Sequence, residues 1–219
     1  MISAEERHRM QSQAAEIAAE PRISKGTGIG CKNGARVYIQ HHFILESGPY
    51  VMALARELWS VHGCRWFSYC LLRYHPDAFK SLDESQVEAF GQGIDSKDIV
   101  GSYARILSGP AWLHGLITDD LIHRWTLSED RWWRRAALVS TIALNVCSSD
   151  GGTVDMPRTL AVCRMLVGDR DEMVYKALSW ALRSLVEHDP RAVRAFVAEY
   201  EDQLAAQVRR EVIKELEAG

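Results

Sequence analysis

Apolar positions recur along most of the chain at intervals of three and four, the spacing that places them on one face of an α-helix. Val51, Ala53, Leu54, Leu58 and Trp59 define such a face, and Trp66, Tyr69, Cys70, Leu72 and Tyr74 define a second. His75 and Pro76 end the second, because proline disfavours the helical conformation of the residue before it. Helices are also predicted over 5–19, ended by Pro21, and from just after Asp83 through Phe90. Over 96–107 the inward residues are Ile99, Val100, Tyr103 and Ile106, with Asp95 as predicted cap and Gly109-Pro110 as predicted stop. Thr118 and Asp119 introduce a short helix through Trp125, Ser128 is the next cap signal, and 132–146 reads as a strongly apolar central helix. Segments 156–166, 172–187 and 191–217, the last interrupted near Glu201, complete the series. Pro157 and Pro190 suit first-turn positions, where a missing amide donor costs little.

Strand signals are sparse. Residues 36–44, RVYIQHHFI, could pass for a strand, but a lone strand has no partner for its backbone groups. Helices of roughly ten to eighteen residues joined by short loops, with one apolar face each, suit stacked antiparallel pairs. The predicted class is therefore all-α, read as one helical solenoid-like domain over 1–219; a compact bundle satisfies the same periodicity.

Composition narrows the function classes. The 219 residues are 47% hydrophobic and 25% charged, an ordinary globular balance. With 26 Lys and Arg against 29 Asp and Glu, a uniformly basic nucleic-acid coat is excluded, while a local basic groove is not. Cys31, Cys64, Cys70, Cys147 and Cys163 are scattered, odd in number and form no CxxC pair. They read as reduced thiols of a cytoplasmic protein, with no membrane span.

Familiar catalytic and cofactor motifs are missing. Gly26, Gly28 and Gly30 follow no strand and lack dinucleotide-binding spacing, so they read as a flexible turn. His41 and His42 diverge on a helix, and His114 and His123 have no Cys or Glu at ligand spacing. No metal and no cofactor is expected. The informative residues are Arg and Trp. Trp132, Trp133, Arg134 and Arg135 stand at a helix start, where four consecutive side chains point in four directions. They suit either packing with a salt bridge or contact with an anion such as a backbone phosphate. Lys176, Trp180 and Arg183, spaced four and three, share one helical face. That face is either a stacking platform between phosphate anchors or a buried indole whose cations reach outward. A small cationic excess over 121–183 gives way to an acidic one over 184–219.

RWWRRAALVS at 131–140 and VYKALSWALRSLVEHDPRAVRAFV at 174–197 resemble the AlkD-like family of bacterial alkylpurine DNA glycosylases, with a fainter likeness from Trp59 onward. The resemblance implies HEAT-like repeats, about five antiparallel helix pairs, forming a concave basic surface. It implies duplex DNA as partner, gripped around an N3- or N7-alkylated purine, and no cofactor. Carried over, Arg135, with Arg134 as the alternative, contacts the DNA backbone or active site. Lys176, Trp180 and Arg183 match the later block; Arg135, Lys176 and Arg183 would make electrostatic contacts, and Trp180, with Trp133 as a further candidate, would pack against exposed sugar or base.

The family helix that reads N-W-D-x-x-D corresponds here to Ser96 through Gly101, with Lys97 in the Trp place and Gly101 in the catalytic Asp place. Glycine cannot stabilise a positive sugar or orient water through a carboxylate. Asp98, three residues earlier on nearly the same face, is the candidate substitute, displaced by about one turn. Gly63, Cys64 and Arg65 stand where family members often carry acids. The expectation is a DNA-binding relative of the glycosylases that recognises alkylated duplex DNA without classical excision. The alternatives are an active N-glycosylase for N3- or N7-alkylated purines and a helical-repeat scaffold for a protein partner.

Overall fold

A computed structural model describes residues 2–20, 30–145 and 154–218, and no strand occurs among them. Gly26, Gly28, Cys147 and Val146 at the end of the predicted central helix lie outside the described residues. The described chain is all-α and divides into two compact units, Met1–Gly93 and Ile94–Gly219.

In the first unit, α1 (Ala4–Ala19) and α2 (Gly30–His42) precede α3 (Gly48–Ser60) and α4 (Arg65–Tyr74). Two short helices follow, α5 (Pro76–Lys80) and α6 (Glu84–Gly91). The stretch that could pass for a strand is helical. Its buried positions, Ala35, Ile39 and Phe43, are four apart, a helical rather than alternating period. Helix α3 packs against α1 and α4, and α4 packs against α2, around Tyr50, Leu54, Leu58, Phe67 and Leu71. His75 ends α4 and caps α5. Its Nδ1 accepts the Ala78 amide at 3.1 Å, so Nε2 carries the proton it donates to the Glu46 carbonyl at 3.1 Å.

Asp83 caps α6 in a reciprocal box: its carboxylate accepts from the Gln86 amide at 2.8 Å, and the Gln86 side chain accepts from the Asp83 amide at 3.1 Å. Asp83→Ala should cost about 1 kcal/mol in urea unfolding, and Asp83→Asn a small fraction of that. Equal losses would show that the cap geometry does not set the cost.

The second unit runs α7 (Lys97–Tyr103), a π-helical segment (Ala104–Ser108), α8 (Gly109–Leu113), α9 (Asp119–Thr126) and α10 (Arg131–Ser140). A 3-10 turn (Thr141–Asn145), α11 (Met156–Met165), α12 (Glu172–Val186), α13 (Pro190–Glu199) and α14 (Ala206–Ala218) follow. Helix α10 packs against α7 and α12, and α12 against α14, so these four make one row. Helix α9 packs against α10 and α11, α11 against α12, and α13 against α12 and α14. The pairs α9/α10, α11/α12 and α13/α14 thus stack as a helical repeat.

Gly109 and Pro110 do not stop the α7 path as expected; the chain stays helical through Leu113. Pro110 removes the amide that an unbroken helix would direct at the Ile106 carbonyl. The π segment absorbs this defect: the Gly109 amide donates five residues back, to the Ala104 carbonyl. Caps also differ in detail. Ser96, not Asp95, accepts from the Ile99 amide at 3.4 Å, and Asp130, not Ser128, accepts from the Trp132 amide at 2.9 Å. Trp112 donates to Asp119 at 2.7 Å, and the Arg158 guanidinium bonds the same carboxylate at 2.8 Å while lying 4.4 Å from the Trp112 ring centroid. This staple ties α8, α9 and α11. Cys64, Cys70 and Cys163 are buried and in no disulfide; complete burial pushes the Cys163 thiol up to about 12. Among the described residues, no helix is long and apolar enough to cross a membrane.

Candidate functional site

The residues that open α10 point to different partners. Arg131 reaches Asp171 at 3.4 Å and lies 4.8 Å from the Trp132 ring centroid. Trp133 joins an aromatic cluster with Trp125 at 4.8 Å and Tyr103 at 6.0 Å. Arg134 is a clamp: Nε meets Asp169 at 2.7 Å, and the guanidinium donates to the Ser128 and Glu129 carbonyls at 2.9 Å each. Arg135 turns to the neighbouring helix and donates to the Met173 carbonyl. Only 9% of it is exposed, and its buried Nε has no partner. Burial lowers the Arg135 pKa, and the Asp98 carboxylate opposes that shift.

Asp98 therefore acts electrostatically on Arg135 from the exposed first turn of α7. One turn on, Gly101 carries no acid, and a Cβ built there would meet nothing within 4 Å. The position that the resemblance matches to an aspartate thus borders open space. Lys97 is exposed at the start of the same helix.

On α12, Trp180 is half-buried and Arg105 of the π segment sits 5.6 Å from its ring centroid. No carboxylate pairs with Arg105 among the described residues. Lys176 pairs with Glu172 on its own helix, and that hydrogen bond raises its pKa. Arg183 meets Glu215 of α14 at 3.8 Å, the longest of the ion pairs on this row, and its buried Nε is unpartnered. Glu211 accepts from Ser179 and, at 2.7 Å, from Gln207. These bonds, then Arg183 and Arg210, lower the Glu211 pKa below its ordinary value. Arg209 is held by Glu201 at 2.9 Å.

The row α7, α10, α12 and α14 thus brings together Asp98 with Arg135 and, through the π segment, Arg105 with Trp180. Arg183 stands with Glu215. Arg134 is committed to the α9–α10 turn and Asp169, and Trp133 to an aromatic cluster. Among the described residues three buried side-chain polar atoms lack a partner, and two are the Nε atoms of Arg135 and Arg183. Native proteins satisfy nearly all such atoms, so the two Nε atoms stand out on this row.

Three residues of the row are not among those predicted from sequence: Arg105, Glu211 and Glu215. Arg105 follows Gly101 by four, a spacing that places both on one face and could have found it. Glu211 and Glu215 look in the sequence like solvent-facing acids of a terminal amphipathic helix. Only the packing of α14 on α12 turns them toward Ser179 and Arg183.

No metal-holding group of three or more His, Cys, Asp or Glu side chains occurs among the described residues. No curated protein matches the sequence. The model of the DNA alkylation repair enzyme family matches residues 3–216, which spans both units. Nearly the whole chain is covered, and the all-α repeat packing agrees with the match. The chain belongs to the DNA alkylation repair enzyme family.

Proposed function

We propose that the α7–α10–α12 row binds duplex DNA at alkylated purines and that this protein has lost the family's own catalytic carboxylate. The observation that carries the reading is the set of arginines on one row: Arg105 over the half-buried Trp180, Arg183 held only at 3.8 Å by Glu215, and Arg135 with Asp98 acting on it. Phosphate is the natural partner for such groups, because arginine offers a planar fork of donors. Trp180 adds a π-face for a sugar or base, in the manner of stacking platforms. Gly101 supplies the contrasting half of the proposal, since nothing on it can stabilise a positive sugar.

The test measures binding and base release on one sample, using duplex DNA with or without N7-methylguanine. Binding with release at the spontaneous rate is expected. Arg105→Ala should weaken binding about tenfold and reduce the salt slope by about one, as for one lost phosphate contact. Arg183→Ala should do the same more weakly, because Glu215 already occupies that guanidinium. Unchanged affinity and slope in both folded variants would reject the row as the DNA surface. Gly101→Asp has room for its side chain and should raise release above background.

A second reading, excision by Asp98, rests on its electrostatic reach to Arg135. It requires release in the parent protein that Asp98→Asn abolishes while binding stays near normal. Equal rates in the two proteins remove Asp98 from any mechanism.

A further inference from the structure

Away from this row, the Met1–Gly93 unit contains a cleft of about 810 Å³ bounded by α1, α3 and the start of α5. Arg7 from α1 and Arg56 from α3 stand on its walls, and Met10 and Met52 contribute its apolar floor. A second, largely apolar slot of about 240 Å³ is formed by Trp59, Ala89 and Phe90. Arg56 and Ser60 line both spaces, so the two adjoin along α3. Helical spacing explains the junction: residues 56, 59 and 60 share a face of α3, so the charge and the indole point the same way.

The slot is rigid. The Trp59 indole N–H donates to the Phe90 carbonyl at 3.1 Å, and the Phe90 ring meets the indole edge-on at 6.1 Å. Arg65 lies 5.0 Å from the indole centroid and is itself held by the Gln92 carbonyl at 2.8 Å. The charges beside the slot are unspent. Arg9 is bidentate to Glu46 at 2.9 and 2.6 Å, but no carboxylate pairs with Arg7 or Arg56 among the described residues. Glu57 and Asp77 line the wider cleft, whereas no acid lines the slot.

An apolar aromatic slot opening onto an unpaired guanidinium calls for a flat, hydrophobic group carrying an anion. We propose that this groove binds a single nucleotide unit, its base in the Trp59–Phe90 slot and its phosphate on Arg56, with Arg7 across the cleft. Stacking on aromatic faces accepts any base, and arginine bonds phosphate in a two-pronged fashion. A cleft of this size is typical of small-molecule sites, which are mostly apolar with a few placed polar groups. A cationic ligand would meet Arg56 at the slot mouth, and an aliphatic acid would leave the aromatic slot unused. The proposal stands apart from DNA binding by the second unit, because it uses none of that row's residues.

Calorimetric titration of the full chain with deoxyadenosine monophosphate, deoxyadenosine, inorganic phosphate and a short single-stranded oligonucleotide tests it. Saturable binding of the monophosphate is expected, tighter than for the nucleoside or phosphate alone. Arg56→Ala, at an exposed position, should weaken the monophosphate about tenfold and leave the nucleoside unchanged. Ala89→Leu, also exposed, fills the slot and should weaken both. Arg105→Ala should change neither, which separates this groove from the other row. Tighter binding of the oligonucleotide that Arg56→Ala weakens and Arg105→Ala does not would identify a strand as the source of the nucleotide; tighter binding of the monophosphate would identify a free one. No saturable binding of either, or binding that Arg56→Ala and Ala89→Leu leave intact in folded protein, overturns the proposal.

Discussion

Gly109→Ala is expected to destabilise the Ile94–Gly219 unit by about 3 kcal/mol, whereas Gly101→Ala, eight residues earlier, should stabilise it by up to about 1 kcal/mol. A Cβ on Gly109 would lie 2.7 Å from the Ala104 carbonyl oxygen, 2.7 Å from that of Ser140 and 2.8 Å from the Ala143 Cβ. Two of these neighbours are backbone atoms, so no side-chain rotation relieves the contact. The Ala104 oxygen also accepts the bond that closes the π turn, and the Ser108 and Ser140 hydroxyls are bonded 2.8 Å apart beside it. Relief would therefore pull α8 from the end of α10 and break buried hydrogen bonds. At Gly101 a Cβ meets nothing within 4 Å, so only alanine's better helix propensity counts. Urea unfolding of the two variants beside the parent measures both effects. Similar values for the pair would show that the close approach at Gly109 is not what holds the π segment in place.

That glycine illustrates what the sequence could and could not convey. Helix existence was legible because each apolar face repeats at three and four, and the predicted ends at Tyr74, Ala19 and near Val186 lie within two residues of those observed. Gly109-Pro110 reads as a stop under local rules alone. It is instead a crossing point, because Ser140, thirty-one residues later, needs glycine's lack of a Cβ. The same limit applied to 36–44, where alternation of residue types concealed the spacing of four between Ala35, Ile39 and Phe43. Within the candidate site, the Trp180 face and the divergence of the α10 residues follow from helical geometry. The partners did not. Nothing local to Arg134 announces Asp169, and nothing local to Trp180 announces Arg105, since both contacts depend on how the helices stack.

Arg134 and Arg135 adjoin in the chain, yet their methionine variants should behave oppositely. Arg134→Met removes the partner of Asp169, whose side chain is only 10% exposed, and frees the Ser128 and Glu129 carbonyls. Leaving one half of such a pair behind is costly, here about 2 kcal/mol after allowance for partial exposure. DNA affinity of the folded fraction should stay within about twofold, because this guanidinium is already filled by protein acceptors. Arg135→Met removes a charge that burial already disfavours and whose Nε has no partner. The Met173 carbonyl it bonds lies inside α12, where the helix supplies the Ala177 amide as well. Replacing an incompletely satisfied buried cation by a similar apolar volume is often neutral or stabilising, so stability should hold within about 1 kcal/mol or rise. Affinity for duplex DNA should fall roughly 10- to 100-fold, the equivalent of a lost hydrogen bond to a charged group, with a shallower salt slope. Thermal unfolding and salt-dependent binding on both variants read the two axes separately. If Arg135→Met loses stability and keeps its affinity, Arg135 is a structural strut between α10 and α12, and the DNA surface must be sought without it.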